Sequence, residues 1–258
     1  MMNPGAPLPR LREVPDAWWS ALAEKRIYFG HQSVGFDILK GVGEVVDESP
    51  RIPLRIVEAH EPLRFEKPVF AHSALGANMD PRSKIDAFSA LMEKKGAAEL
   101  DIAFFKFCYV DVQPGTDVQR LFESYRDAVE RLKKARPRTT FLHVTTPLTS
   151  LQTGPKAWVK RWMGKPLRGF EDNVRREELN ALIRREWGAE GLVFDLAKIE
   201  SILPDGSVSR FEKEGKLYPA LAADYTDDGG HLNARGRRVV AEQLLVFLAR
   251  VAGRLPSS

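Results

Sequence analysis

Tyr28-Phe29-Gly30-His31-Gln32-Ser33-Val34-Gly35 is the stretch on which the fold turns. A short apolar run, Ile27-Tyr28-Phe29, stops at Gly30, and a helical pattern starts at Val34 and carries Ile38, Leu39 and Val42. An apolar run halted by glycine, with a hydroxyl residue at the following helix start, describes a strand presenting a side chain at the C-terminal edge of a sheet. Ser33 holds that place, with its N–H directed out of the first helical turn, where an anion would be met. The same residue also reads as a plain N-cap, the usual role of a serine ahead of a helix. The far end of the chain decides between the two.

Working outward, Asp16 reads as the cap of a short helix through Trp18, Leu22 and Ala23, behind a Pro-rich lead-in at residues 1–15. Residues 52–59 predict a second strand, and a loop through Pro62 and Pro68 leads past Val69-Phe70 to His72-Ser73-Ala74-Leu75-Gly76-Ala77-Asn78. Asp80-Pro81 opens a helix with Ile85, Phe88, Leu91 and Met92 at helical spacing. Asp101 to Tyr109 is the most apolar strand, broken only by Lys106, and belongs in the middle of a parallel sheet covered on both faces. Asp117 opens a long helix, and strands follow at 139–145 and 191–196 with a helix near 171–187 between them. The last helix follows Asn233. Strands alternating with helices give an α/β fold, a three-layer doubly wound sandwich around a central five-stranded parallel sheet of flavodoxin-like type.

The chain has 258 residues, 43% of them apolar and 29% charged, which suits one folded domain over residues 16–258. One cysteine, Cys108, excludes an internal disulfide or an all-cysteine metal site. No apolar segment approaches the roughly eighteen residues of a membrane span, and none near the N-terminus resembles a signal peptide, so the expected location is cytoplasmic rather than secreted. A net charge of +4 permits an anionic partner without requiring one, and nothing points to nucleic acid.

Residues 147–170 fit no element. They carry Lys156, Lys160, Arg161, Lys165, Arg168, Trp158 and Trp162, and no acid between Pro147 and Phe170. An irregular aromatic-bearing insertion at a strand's C-terminal end reads as a lid or binding loop, or as a short helix docking Trp158 and Trp162 on the body.

Asp227-Asp228-Gly229-Gly230-His231-Leu232-Asn233 precedes the last helix. An Asp three residues ahead of a His, across a glycine pair, can set its carboxylate against Nδ1 and leave Nε2 outward as a general base. With Ser33 this supplies nucleophile, base and orienting carboxylate. An α/β-hydrolase elbow fits less well, because His31 stands where its first glycine must be. A metal site from His31, His143, Asp227, Asp228 and His231 lacks ligand spacing. His60 and His72 read as isolated loop residues. Lys106 is either a strand-end residue reaching the site or a snorkelling side chain. Cys108 is an alternative nucleophile by position.

These blocks resemble the SGNH (GDSL-like) hydrolases, which place the nucleophile Ser after the first strand and Asp-Gly-x-His-Leu/Pro-Asn before the last helix. Asp228-Gly229-Gly230-His231-Leu232-Asn233 matches that closing block throughout, and the likeness runs from about residue 26 to 253. It implies catalytic Ser33, Asp228 and His231, with Gly76 as an oxyanion-hole donor beside the Ser33 N–H. It further implies an acyl-enzyme route on a small-molecule or carbohydrate ester, with no cofactor and no metal. Acyl transfer to a glycan is the same chemistry with water excluded, and a non-catalytic glycan-binding protein is the alternative on the same fold. Two departures stand out. Gly30-His31-Gln32-Ser33 replaces Gly-Asp-Ser, and Val110 occupies the position of the third donor, an Asn. Asn78, Gln32 and Tyr109 are the candidate replacements, Asn78 foremost.

Overall fold

The structure, a computed structural model, describes residues 8–59, 65, 67–94, 97, 100–154, 162–163 and 167–255. Strand β1 (Arg26–His31) forms its centre, and the five residues from Ile27 to His31 are all buried. It pairs in parallel with β3 (Val69–Ala74) on one side and β4 (Ile102–Phe105) on the other. Beyond them lie β2 (Ile56–Glu58) and β5 (Thr140–Phe141), giving a five-stranded parallel sheet in the order β2-β3-β1-β4-β5. After Leu142 the chain resumes as β6 (His143–Val144), which pairs in parallel with β7 (Val193–Phe194).

Successive side chains on a strand point to opposite faces, and this period of two divides the core. Phe29 and Phe104 pack with Leu22, Ile38, Val42 and Leu244. These come from α1 (Asp16–Ala23), α2 (Val34–Glu48) and α7 (Ala234–Ala252), with α6 (Leu196–Ser201) adding Leu196 and Ile199. Tyr28 and Phe105 face the other way, into Phe88, Phe122, Tyr125 and Trp187. That layer is α3 (Pro81–Glu93), α4 (Val118–Ala135) and α5 (Glu171–Trp187). The connection leaving β1 runs through α2 on one face, whereas the connection from β3 across to β4 runs through α3 on the other. Such a reversal of strand order opens a crevice at the carboxyl end of β1. Ser33 is two residues past that end.

Three helices start where the sequence predicts, each with a capping side chain. Asp80 accepts from the Ser83 N–H, Asp117 from Arg120 and Asn233 from Gly236, all at 3.0 Å. The first helix is shifted: Pro15 is its N-cap, and the Asp16 carboxylate instead pairs with Arg51 at 2.6 Å.

The strands depart further from expectation. The strand predicted over 52–59 is only Ile56–Glu58, with Ile52 and Leu54 buried outside it. Val69–Ala74, assigned to no element from the sequence, is a six-residue inner strand, so β2 and β3 follow one another without a helix among the described residues. The strand expected at 191–196 is Val193–Phe194 and pairs with β6 rather than β5. Its last predicted residue, Leu196, begins α6. An antiparallel hairpin, β8 (Arg210–Lys213) and β9 (Lys216–Pro219), turns through Glu214 and Gly215, both at positive φ. No helix among the described residues is long and apolar enough to cross a membrane.

Candidate active site

Ser33 occupies the N-cap position of α2, yet its side chain caps nothing. Its backbone stands at φ 53°, ψ −118°, a conformation that costs a non-glycine residue about 1–3 kcal/mol. That strain aims Oγ out of the turn. Oγ lies 2.8 Å from His231 Nε2, so the N-cap reading gives way to the presented hydroxyl. Two glycines make the turn feasible. A Cβ at Gly30 would come within 2.6 Å of Leu75 Cδ2, and one at Gly35 within 2.4 Å of the His31 Cβ.

The partner block folds as a tight side-chain-closed turn. Asp228 Oδ1 accepts from the N–H groups of Gly230 and His231, both at 2.8 Å, and Oδ2 lies 2.7 Å from His231 Nδ1. The Gly229 N–H donates to Thr226 Oγ1. Both glycines are needed, for different reasons. Gly229 sits at φ +87° with the Arg168 guanidinium against it, and a Cβ on Gly230 would meet the Tyr109 ring at 2.8 Å. Burial pushes the Asp228 carboxyl up, but the hydrogen bonds from the His231 ring and the two N–H groups outweigh it and hold it well below the usual carboxylate range. An anionic carboxylate on Nδ1 fixes a tautomer with its proton there and its lone pair on Nε2, facing Ser33. Asp37, in the first turn of α2, accepts from the Leu232 N–H at 3.2 Å and ties the two blocks together.

The Ser33 and Gly76 N–H groups, expected as oxyanion donors from the resemblance, lie on neighbouring loops. Neither the Ser33 N–H nor the Gly76 N–H meets a protein acceptor among the described residues. Gln32 Nε2 donates to the Gly76 carbonyl at 2.9 Å, fixing the second loop beside the first. Gly76, at φ +62°, packs against the backbone of Lys84. The Lys84 ammonium, wholly buried, pairs with Asp111 at 2.9 Å and donates to the Ala77 carbonyl at 2.6 Å. It also lies 3.5 Å from Asn78 Oδ1. An ammonium can only donate, so this contact orients the exposed Asn78 amide with its NH₂ away from Lys84. Asp111 in turn accepts from the N–H groups of Met79 and Cys108. One ion pair thus joins the loops after β3 and β4. Tyr109 sets the edge of its ring against His231, with centroids 5.8 Å apart.

Other expectations are corrected. Cys108 is fully buried, with Sγ directed at the Gln32 carbonyl, and is out of reach of a substrate. Lys106 neither reaches the site nor snorkels; it is buried against the Phe107 carbonyl and Cys108 Sγ, and burial lowers its pKa. His72 is no isolated loop residue but lies in β3, its Nδ1 3.2 Å from His31 Nε2. His31 is buried under the elbow, and burial, with His72 and Lys106 nearby, pulls its pKa down to about 3. His143 stacks on Trp187 inside the core, remote in environment from the His231 turn. Of the insertion, Trp162 is 82% exposed and does not dock on the body, and Arg168 donates to the Asp228 carbonyl. Lys156, Trp158, Lys160, Arg161 and Lys165 lie outside the described residues, as does His60.

Sequence reasoning missed Asp37, Lys84, Asp111 and Arg176. Arg176, buried behind Tyr109, donates to the Tyr109 carbonyl, Thr149 Oγ1 and Asn173 Oδ1. Asp80-Pro81 announces the helix that carries Lys84, but nothing local announces its partner, 27 residues away.

No family model matches the chain, and no curated protein matches it. Among solved structures it is similar to a Streptococcus pneumonia protein named for platelet activating factor, at 12% identity over 92% of this chain and 94% of that one, with a TM-score of 0.49. A protein of Desulfitobacterium hafniense DCB-2 assigned to the G-D-S-L lipolytic family gives 7% identity, 86% and 99% coverage and a TM-score of 0.46. The periplasmic domain of a lipopolysaccharide acetyltransferase from Salmonella ser. Paratyphi A gives 10%, 86% and 82%, and 0.44. With each TM-score below 0.5, the functional reading rests on the chain's own residues.

Proposed function

We propose that the protein is a serine acyl-ester hydrolase acting through Ser33, His231 and Asp228. The observation that carries this is the continuous chain from Ser33 Oγ through His231 to Asp228, with contacts of 2.8 and 2.7 Å, on a strained elbow at the carboxyl end of β1. His231 Nε2 takes the Ser33 proton as Oγ bonds to the ester carbonyl carbon. The charge then on the carbonyl oxygen is met by the N–H groups of Ser33 and Gly76, and the imidazolium is stabilised by Asp228. Collapse breaks the bond to the alcohol, which leaves with the proton from His231. A water activated by the same imidazole releases the acid from the acyl-Ser33 ester. Were a sugar hydroxyl to replace that water, the product would be an acylated glycan by the same steps.

Asn78 supplies the third donor in place of the Asn that Val110 displaces. Its support is the Lys84 contact that leaves its NH₂ outward, two residues past Gly76. The vacancy at Val110 is also what would favour a glycan-binding protein without catalysis. Steady-state hydrolysis of 4-nitrophenyl acetate separates the two: the Ser33→Ala and His231→Ala variants should each lose the activity of the parent. Activity unaffected by either change would reject the proposal.

A further inference from the structure

Arg168 presents a charge that the chain from Ser33 to Asp228 leaves unused. Its guanidinium is exposed, and its one side-chain hydrogen bond among the described residues runs from Nη1 to the Asp228 carbonyl at 2.7 Å. That contact locates the group without neutralising it. By contrast, Arg51, Arg235 and Arg237 each rest on a carboxylate. The seat is built for it: Gly229 stands at positive φ beneath the guanidinium, and a Cβ there would lie 2.0 Å from Nη2. Neighbouring residues pin the segment, with the Gln152 N–H on the Arg168 carbonyl and the Ser150 N–H on the Gly229 carbonyl, both at 3.0 Å.

A second donor stands beside it. The Tyr109 hydroxyl touches Gly230, with 2.9 Å to where a Cβ would be, and it has no hydrogen-bond partner among the described residues. Arg176 lies behind the Tyr109 ring, 5.7 Å from its centroid, and adds a second, buried positive charge. The opposing charges at this edge are Asp228, whose two oxygens are committed to His231 and to the Gly230 and His231 N–H groups, and Asp172, which accepts from the Gly169 N–H at 3.4 Å and faces Arg176. A fixed guanidinium and an open hydroxyl on one lip of a reactive serine make a carboxylate clamp. One exposed cation and one neutral donor match a singly charged group better than a phosphate dianion.

We propose that Arg168, with the Tyr109 hydroxyl, binds a carboxylate carried by the ester substrate on the Asp228 side of Ser33. The substrate class is therefore a half-ester or similar monoanionic ester. This rests on the acyl-transfer reading of Ser33, and the two can be separated experimentally. Binding is measured by titration calorimetry on the Ser33→Ala variant, with monomethyl succinate as the anionic probe and dimethyl succinate as its neutral counterpart. The monoanion should bind roughly five- to tenfold more tightly, and the advantage should shrink at high salt. Adding Arg168→Gln should abolish the advantage, Arg168→Lys should keep part of it, and Tyr109→Phe should reduce it. Equal binding of the two probes, or an advantage that survives Arg168→Gln, overturns the inference. Turnover of the same esters by the unmodified enzyme reports on Ser33 alone: anion binding that depends on Arg168 without any turnover sinks the hydrolase reading and leaves the clamp standing.

Discussion

At the scale of single residues, the site depends on groups whose roles come from what approaches them. Ser33 adopts φ 53° because its two flanks are locked, by Leu75 over Gly30 and by His31 under Gly35. Asp228-Gly229-Gly230-His231 was legible because its chemistry is local, a carboxylate closing a turn on the imidazole three residues later. Asp37 was not, since it acts on Leu232, far off in sequence, and belongs to no spacing pattern; Arg168 stood out only as one cation of the insertion, and its seat on the Asp228 carbonyl had no local sign. The third oxyanion donor is the sharpest residue-scale question. If Asn78 fills it, Asn78→Ala lowers kcat by about 10²–10³ and changes KM little, because the bond strengthens as charge develops on the oxygen. Steady-state kinetics on 4-nitrophenyl acetate read this directly. An unchanged kcat assigns the role elsewhere, to Gln32 or Tyr109.

At the scale of elements, helices were easier to read than strands. Caps and apolar spacing lie within the helix itself, as Asp80, Asp117 and Asn233 show. A short inner strand has no such marker. Val69–Ala74 follows Pro68 and contains His72 and Ser73, polar residues that β1 and β2 cover only from outside the segment. The link between the loops after β3 and β4 is the Lys84–Asp111 pair, invisible in the sequence for the same reason. Removing one partner leaves a buried charge uncompensated, so Lys84→Met or Asp111→Leu alone should cost about 3–5 kcal/mol. The double variant should cost less than the sum, by more than about 1 kcal/mol, because the groups share one interaction. Urea unfolding of the four proteins completes that cycle, and strict additivity would show the pair to be uncoupled.

Across the whole molecule, two buried groups give stability opposite dependences on pH. His31 is held near 3 against an ordinary value of 6.5, so the unfolded chain binds the extra proton between them and stability falls as pH drops from 6.5. Glu200 lies in the core and accepts from the Leu148 N–H; burial raises it from 4.5 to about 8. There the folded chain holds the extra proton, so that contribution is full below 4.5 and is lost as pH rises toward 8. Between 4.5 and 6.5 the two slopes oppose one another, with His72 and buried His143 adding to that of His31, and above 6.5 the Glu200 contribution continues to fall, at most about 1.4 kcal/mol per pH unit. Glu200→Gln should flatten the alkaline limb, so thermal melts from pH 5 to 8 should show the variant gaining on the parent as pH rises. Parallel curves would mean that Glu200 does not titrate in that window.

The central claim is that Ser33 is the residue acylated. Treating the protein with a fluorophosphonate and locating the adduct by peptide mass spectrometry tests it most directly, because the reagent needs an activated hydroxyl and no knowledge of the substrate. A single adduct on Ser33, absent from Ser33→Ala and strongly slowed in His231→Ala, is the predicted result. An adduct on another residue, or labelling that persists in Ser33→Ala, would contradict it.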